Sequence, residues 1–342
     1  MSMRVLVVGG AGYIGSHALR VLARAGHQVW AYDNLSEGHR AAVPPGLLIE
    51  GDLHDGTLLE KVLREHAIEA VMHFAACALV GESMVDPAKY YHNNIVGTLS
   101  LLEAMRRAGV NRIVFSSTTA TYGAAVTIPI TEDEPQRPIN PYGYSKMVAE
   151  QALQEYARAY GFATAALRYF NAAGASLEGG IGEAHTPESH LIPNILKVAL
   201  GQAERVLIHG IDYPTADGTC VRDYVHVDDL ADAHLRALQA LVPGVALQLN
   251  LGSGTGYSVR QVVDACRAVT GKPIEAVSGP RRPGDPPILV ADSSRARAQL
   301  GWSASRSDLH TIVASAWQWH LSHPNGYGDT AADGAHAQQE RA

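Results

Sequence analysis

Gly9-Gly10-Ala11-Gly12-Tyr13-Ile14-Gly15 stands between the apolar run Val5–Val8 and an amphipathic stretch that reaches Ala25. A glycine-rich turn that follows a strand and opens a helix is the start of a nucleotide-binding βαβ unit. Glycines there allow a tight turn, a close approach of the backbone to a pyrophosphate, and close packing of helix on strand. The helix start adds free N–H groups and the positive end of its dipole, both suited to anionic phosphates. Glycine spacing alone is a weak signal. The context strengthens it, because Val29–Tyr32 supplies the next strand and Asp33 ends it. A carboxylate at that point accepts hydrogen bonds from both ribose hydroxyls and repels a 2′-phosphate, so NAD is expected over NADP. The plainer alternative is that Asp33 caps a turn with Asn34.

Outward from this turn the same alternation continues. Gly26 suits the C-terminal cap of the first helix. Leu47–Ile49 reads as a third strand followed by Asp52, Leu58–His66 as a helix and Ala70–Phe74 as a strand. Pro87 opens a long helix running toward Ala108, and Ile113–Ser116 and Ala163–Leu167 are further strands. Strands alternating with helices imply a doubly wound α/β fold with a parallel sheet, its ligands at the carboxyl ends of the strands. After residue 174 the pattern loosens around Gly179, Gly180 and Gly182, and Leu191–Leu200 reads as a helix. The expected division is a dinucleotide-binding domain over 1–174 and a smaller, mainly substrate-binding domain over 175–321. Within the latter, Val221–Leu230 and Leu247–Leu251 are able to return to the main sheet. The Gly-, Ala- and polar-rich stretch 322–342 is expected to be a disordered tail.

Composition narrows the function classes. A chain of 342 residues can bury a large core without disulfides or metal. Its net charge of -7 gives no case for a nucleic-acid partner. Cys77, Cys220 and Cys266 are few, odd in number and far apart, so neither a disulfide framework nor a metal site is expected. The opening apolar run is too short for a signal peptide or a membrane span, which makes a cytoplasmic protein the expectation.

Tyr142 and Lys146 lie four positions apart after Pro141, a residue suited to a helix start, so both side chains share one helical face. A nearby ammonium favours phenolate, which would lower the tyrosine pKa and make it a competent base for a hydroxyl. Thr118 ends the preceding strand and offers a hydroxyl to relay the proton. An ordinary amphipathic helix with Ser145, Ala149, Ala152 and Tyr156 on its inner stripe is the competing reading; the glycine turn tips the balance toward catalysis. Tyr144 has no lysine four residues on.

The GxxGxxG spacing resembles that of the extended short-chain dehydrogenases. The chain is similar, over nearly all but its tail, to the UDP-glucose 4-epimerase family within that group. The resemblance rests on residues 9–17, Gly81-Glu82-Ser83, Phe115-Ser116-Ser117, Arg168-Tyr169-Phe170-Asn171, Asp212-Tyr213-Pro214-Thr215, Gly218-Thr219, Val221–Val227 and Arg281–Asp285. It implies NAD held by Gly9, Gly12, Tyr13, Ile14, Gly15, Asp33, Asn34, Leu35, Asp52, Leu53, Phe74, Ala75, Ala76, Asn94 and Phe170, together with Thr118, Tyr142 and Lys146. It implies a UDP-sugar held by Asn171, Arg222, Arg282 and Asp285, with His190, Leu191, Leu207 and His209 at the uridine end and Thr118 and Tyr142 at the sugar. Two arginines suit a pyrophosphate and an aspartate suits ribose hydroxyls. The implied reaction interconverts UDP-glucose and UDP-galactose through a 4-keto sugar, on a homodimer. The chain departs from the family at Ala78, where many members carry lysine. Leu289 stands beside the sugar pocket where members vary in size, which leaves UDP-N-acetylglucosamine or UDP-arabinose open as substrates. A nucleotide-sugar dehydratase would need carboxylates where Thr119 and Ala120 follow Thr118. A non-catalytic NAD-sensing protein would have little use for Tyr142 with Lys146.

Overall fold

The computed structural model describes residues 2–282 and 285–328. In chain order it begins β1 (Arg4–Val8), α1 (Tyr13–Arg24), β2 (Gln28–Asp33), β3 (Leu48–Glu50), α2 (Gly56–Glu65) and β4 (Ala70–His73). Then come α3 (Val80–Val85), α4 (Pro87–Tyr90), α5 (Gly97–Ala108), β5 (Arg112–Thr118), α6 (Pro141–Tyr160), β6 (Ala163–Tyr169) and β7 (Asn171–Ala173). The second half holds α7 (Leu191–Ala199), β8 (Val206–His209), β9 (Val221–His226), α8 (Val227–Ala240), β10 (Ala246–Leu251) and β11 (Gly256–Ser258). It closes with α9 (Val259–Thr270), β12 (Ala276–Gly279), β13 (Ile288–Leu289), α10 (Ser294–Leu300) and α11 (Leu309–Ser322).

Among the described residues, seven parallel strands form the main sheet in the order β10-β6-β5-β4-β1-β2-β3. The period-two alternation of a strand sends neighbours to opposite faces. Val5 and Val7 accordingly pack with Leu19 and Leu22 of α1 and Leu230 and Leu238 of α8. Leu6 and Val8 pack with Leu59, Leu63, Leu101, Met105 and Leu153 on the other side. Burial on both faces explains why these strands read as continuous apolar runs. The strand order reverses between β1 and β4, and the crevice at their carboxyl ends is where such a fold takes a ligand.

Three features depart from the sequence pattern. The helix expected from Pro87 to Ala108 is interrupted by a π-helical turn at Tyr91–Val96. Of the segments able to rejoin the main sheet, β10 does so beside β6, but Val221–Leu230 divides. Its strand β9 pairs instead with β7, β11 and β13 in a small sheet, and α8 alone packs back onto the main one. The expectation of disorder from residue 322 is corrected for 322–328. Helix α11 includes Ser322, and the Tyr327 hydroxyl then lies 3.1 Å from both the backbone N and O of Gly182. The Tyr327 ring stacks on His39 and packs against Trp319. One aromatic side chain anchors a stretch whose composition is otherwise that of a tail. Residues 329–342 of that expectation lie outside the described residues. No described helix is long and apolar enough to cross a membrane.

Candidate active site

The glycine turn is built by contact. Gly9 has φ +79°, and a Cβ placed on it would sit 2.4 Å from the Ala75 nitrogen in the loop after β4. A Cβ on Gly15 would sit 2.0 Å from the Gly9 carbonyl oxygen. Gly12 differs: a Cβ there would meet only the Gly9 oxygen, at 3.4 Å, so its outer side is open. Helix α1 starts on that open side, and no side chain among the described residues caps it. By contrast, Asp55, Asn140, Ser258 and Asp308 cap α2, α6, α9 and α11. A helix start left uncapped at the switch point presents orphan N–H donors and positive potential to an anion.

Around this turn the expected cofactor residues converge. Asp33 Oδ2 accepts from the Ala11 N–H and Oδ1 from the Leu35 N–H, each at 2.9 Å. Burial pushes the Asp33 pKa up, against the pull of those two N–H groups. Asn34 Nδ2 donates to Asp52 Oδ2 at 2.9 Å, joining the loops after β2 and β3. Leu35 takes φ +58° at this turn, and Leu53 is buried against Gly97 at the start of α5. The Tyr13 hydroxyl donates to the Gly174 carbonyl at 2.6 Å, and Ile14 packs on the core. Phe74, Ala75 and Ala76 follow β4 and are partly buried, the Phe74 ring against His234. Asn94, in the π-turn, has a different part from a free contact residue. Its Oδ1 accepts from the Cys77 N–H, and its Nδ2 donates to the Cys77 carbonyl and to Ser145 Oγ. Buried and committed on both atoms, it clamps the loop after β4 to α6. The π-turn, a geometry frequent at functional sites, carries that clamp.

Helix α6 delivers Tyr142. Asn140 caps it by accepting from the Gly143 N–H at 2.8 Å, and Pro141 occupies its first turn. Gly143 has no room for a side chain, since a Cβ would fall 2.4 Å from the Ala120 carbonyl. This close approach sets Tyr142 beside the end of β5, where its hydroxyl pairs with Thr118. Burial raises the Tyr142 pKa and the Thr118 hydrogen bond only partly offsets it. The expected lowering by Lys146 is therefore corrected. Lys146 Nζ donates to the Ser116 carbonyl at 2.9 Å and lies over the Phe115 ring, 4.7 Å from its centroid. Burial pulls the lysine itself down to about 7, so it holds its charge only weakly. Tyr144 points outward and is 46% exposed.

Sequence reasoning missed what holds α6 to the sheet. Glu150 of α6 and Arg168 of β6 form a fully buried bidentate pair. Ser117 and Gln136 also donate to Glu150, and Arg168 donates to the Tyr122 hydroxyl, which donates to Asn250. An arginine within an otherwise apolar strand was the available signal.

The substrate side is reached by register. Thr118 of β5 stands opposite Tyr169 of β6, and the chain bends at Phe170 into β7. Asn171 lies opposite Tyr224 of β9, and its Nδ2 donates to the Asp223 carbonyl at 3.0 Å. Two residues back along β9, Arg222 ion-pairs with Asp285 and has Leu289 as its neighbour on β13. His209 ends β8, and burial together with the Arg282 charge lowers its pKa. Leu207, on the same strand, is exposed. His190 and Leu191 open α7 and line a small cavity with Asn171, Tyr224 and Glu183. The His190 ring is turned toward Glu183, with Nδ1 2.5 Å from its Oε1. Asp223 is a further buried carboxylate that sequence reasoning passed over. It accepts from Ser253 Oγ and from the N–H groups of Ser253, Gly254 and Ala291.

A doubly wound parallel sheet whose first crossover carries an open, glycine-lined helix start is the architecture of the dinucleotide-binding enzymes. The chain belongs to the NAD dependent epimerase/dehydratase family, whose model matches residues 5–252. It is 51% identical to the UDP-glucose 4-epimerase of Halalkalibacterium halodurans, across 97% of this chain and 99% of that one. Among solved structures it is similar to the UDP-glucose 4-epimerase of Brucella ovis in complex with NAD. That similarity has a TM-score of 0.89 and 48% identity, covering 93% of this chain and 98% of that one. The UDP-glucose 4-epimerase of Bifidobacterium longum in complex with NAD+ and UDP gives a TM-score of 0.90 at 39% identity, over 94% and 99% of the two chains.

Proposed function

We propose that this chain is a UDP-glucose 4-epimerase, interconverting UDP-glucose and UDP-galactose in the cytosol with a resident NAD. The observation that carries the reading is the Tyr142–Thr118 pair at the carboxyl edge of β5, in a chain half identical end to end to an enzyme of that name. The open side of Gly12 and the uncapped start of α1 fit a pyrophosphate. Gly9, Gly12, Tyr13, Ile14 and Gly15 would hold it, with Asp33 at a ribose and Asn34, Leu35, Asp52 and Leu53 around the adenine. Phe74, Ala75, Ala76 and Phe170 would line the remainder, and Asn94 would act by fixing Cys77. Bound NAD supplies the acceptor and then the donor of one hydride, so the net reaction is isomerisation.

Tyr142 Oη takes the proton of the sugar 4-hydroxyl and returns it, with Thr118 Oγ1 sharing the hydrogen bond. Lys146 fixes the strand end through the Ser116 carbonyl. Arg222 and Arg282 hold the substrate pyrophosphate and Asp285 its ribose, with Asn171, His190, Leu191, Leu207 and His209 around them. Anchoring at the nucleotide end leaves the hexose free to turn over between proton transfers. Which hexose is preferred falls to the wall formed by Leu289, beside Arg222. Exposed apolar side chains on the 87–108 and 141–160 helices, among them Tyr91, Val96, Leu99, Tyr144 and Tyr160, support a homodimer about a two-fold axis.

The test incubates purified protein with UDP-galactose, UDP-N-acetylgalactosamine and UDP-arabinose in turn and quantifies the epimer. NAD released on denaturation and the mass in solution by light scattering are measured alongside. Conversion of UDP-galactose with one NAD per chain is expected. Bound NAD without turnover of any UDP-sugar would instead mark a sensing protein and overturn the reading.

A further inference from the structure

The loop between β7 and α7 gathers Glu183, His185, Glu188 and His190, one ligand atom from each lying within 4.8 Å of all the others. His190 Nδ1 is 2.5 Å from Glu183 Oε1 and 3.4 Å from Glu188 Oε1. His185 Nδ1 is 3.2 Å from Glu183 Oε1 and 3.8 Å from Glu188 Oε2. Despite these separations, buried Glu183 Oε1 and His185 Nδ1 have no hydrogen-bond partner among the described residues. Glu183 is only 3% exposed, and the His190 and His185 rings beside it pull its carboxyl pKa down against that burial. Four ligand atoms brought this close, two of them without an aligned hydrogen bond, face a common centre. Ligand atoms on a tetrahedron with bonds of about 2.0–2.2 Å stand about 3.3–3.6 Å apart, inside the range found here.

We propose that Glu183, His185, Glu188 and His190 form a binding site for one divalent cation of the zinc type. Two carboxylates balance the charge of the ion, and two neutral imidazoles complete a closed four-ligand set. The supports expected behind such ligands are present. Glu188 Oε1 accepts from the N–H groups of Ser189 and His190 at 2.8 and 2.9 Å, which fixes its carboxylate. The Glu183 carbonyl accepts from Trp319 Nε1 at 2.9 Å, pinning the loop to α11. The Tyr13 ring, from the glycine turn, stands edge-on to His185 with centroids 6.2 Å apart. Glu183 and His190 also line the cavity shared with Asn171. The cation would fasten this loop between the dinucleotide turn and the substrate side. Neither Tyr142 nor Thr118 is among its ligands, so its role is to hold the loop.

The test uses full-length protein stripped with a chelator and then titrated with Zn2+ against a chromogenic competitor. Metal content after desalting is read by mass spectrometry, and Co2+ serves as a spectroscopic substitute. One Zn2+ per chain and the visible absorption of four-coordinate Co2+ with nitrogen and oxygen ligands are expected. Replacing His185→Asn or Glu188→Gln should weaken Zn2+ binding by about 100-fold or more, since even outer supports typically cost 10–100-fold. Half-exposed His190→Asn should do the same with little risk to folding, while the exposed control His310→Asn should change nothing. Should the stripped native protein take up no Zn2+, the cluster is a set of imidazolium–carboxylate ion pairs and the proposal falls. It falls equally if stoichiometry survives in His190→Asn, because the ion would then sit on surface histidines.

Discussion

The two ends of the cleft handle space and charge in opposite ways. At the dinucleotide end the site is made largely of missing side chains. Gly9 and Gly15 fit only because they have no Cβ, and α1 starts uncapped. Two buried titratable groups there are held by backbone, Asp33 by two N–H groups and Lys146 by one carbonyl. Burial drives both toward their neutral forms, Asp33 up and Lys146 down. At the substrate end the site is made of charged side chains on β9 and on the segment between β12 and β13, where Arg222 and Asp285 hold each other. The first end should therefore be sensitive to atoms added and the second to atoms removed. Tyr142 and Thr118 stand at the seam.

The largest expected effect is at that seam. Tyr142→Phe keeps the ring and removes the proton acceptor, so epimerisation should slow by about 10²–10⁴-fold. NAD content and UDP-sugar affinity should hardly move if the two ends bind independently of it. Tyr144→Phe, on the exposed side of the same helix, should retain near-native turnover. Loss of nucleotide affinity in Tyr142→Phe, measured by calorimetry, would show that the seam belongs to one of the ends.

Next in size is the removal of a charge at the substrate end. Arg222→Ala would take away the charge-assisted contact proposed for the pyrophosphate, and it leaves Asp285 without its partner. Hydrogen bonds to charged groups contribute about 1.5–3 kcal/mol, so KM for the UDP-sugar should rise by roughly 10–150-fold. NAD content should stay at one per chain, and a variant that lost NAD instead would erase the distinction between the ends.

The complementary experiment adds one methyl group to the other end. Gly15→Ala drives a Cβ into the Gly9 carbonyl, an overpacking that should cost about 1–3 kcal/mol of stability in urea unfolding and empty the NAD site. Gly12→Ala meets nothing closer than 3.4 Å, so it should leave the unfolding midpoint near native and weaken NAD alone. Equal destabilisation by both would mean that the glycines serve the turn and not the ligand.

This asymmetry also explains what could be read in the chain. The dinucleotide end was legible because its requirements are local: glycines at fixed spacing, a strand before them, and Asp33 at the end of the next strand. The helix start at Pro141 and the position of Thr118 at the end of its strand were legible for the same reason. The substrate end depends on pairings distant in sequence, such as β9 with β7 and β13, which no local pattern announces. Only the resemblance of whole motifs pointed to Arg222, Arg282 and Asp285. The Glu183–His190 cluster was invisible for the same physical reason, and Arg168 in its apolar strand signalled a buried charge but not Glu150, since a charged residue carries no mark of the partner that folding will give it. Local spacing misled once: four residues of separation put Lys146 on the face of Tyr142, but the Ser116 carbonyl claims its ammonium.

The smallest effect concerns that ammonium. In the unfolded chain a lysine titrates near 10.4, whereas burial holds Lys146 at about 7 in the fold. Between those values the unfolded state binds the extra proton, so stability contributed by this site should rise as pH increases from about 7 toward 10. Below pH 7 both states are protonated, and the full cost of burying the charge is present at every pH. The measurement compares urea midpoints of NAD-free native protein and Lys146→Met at pH 6.5, 7.5 and 8.5. The buried Cys220 and Cys266, whose thiols burial pushes up, titrate alike in both proteins and cancel in the difference, while partly buried Cys77, which feels the Lys146 charge, is itself pushed up by burial and stays a thiol over this range. The native protein should gain on the variant across that series. A difference that stays flat would mean that Lys146 keeps an ordinary ammonium, held by a counter-charge. The dinucleotide end would then be built of charge pairs like the substrate end, and the contrast between the two would be lost.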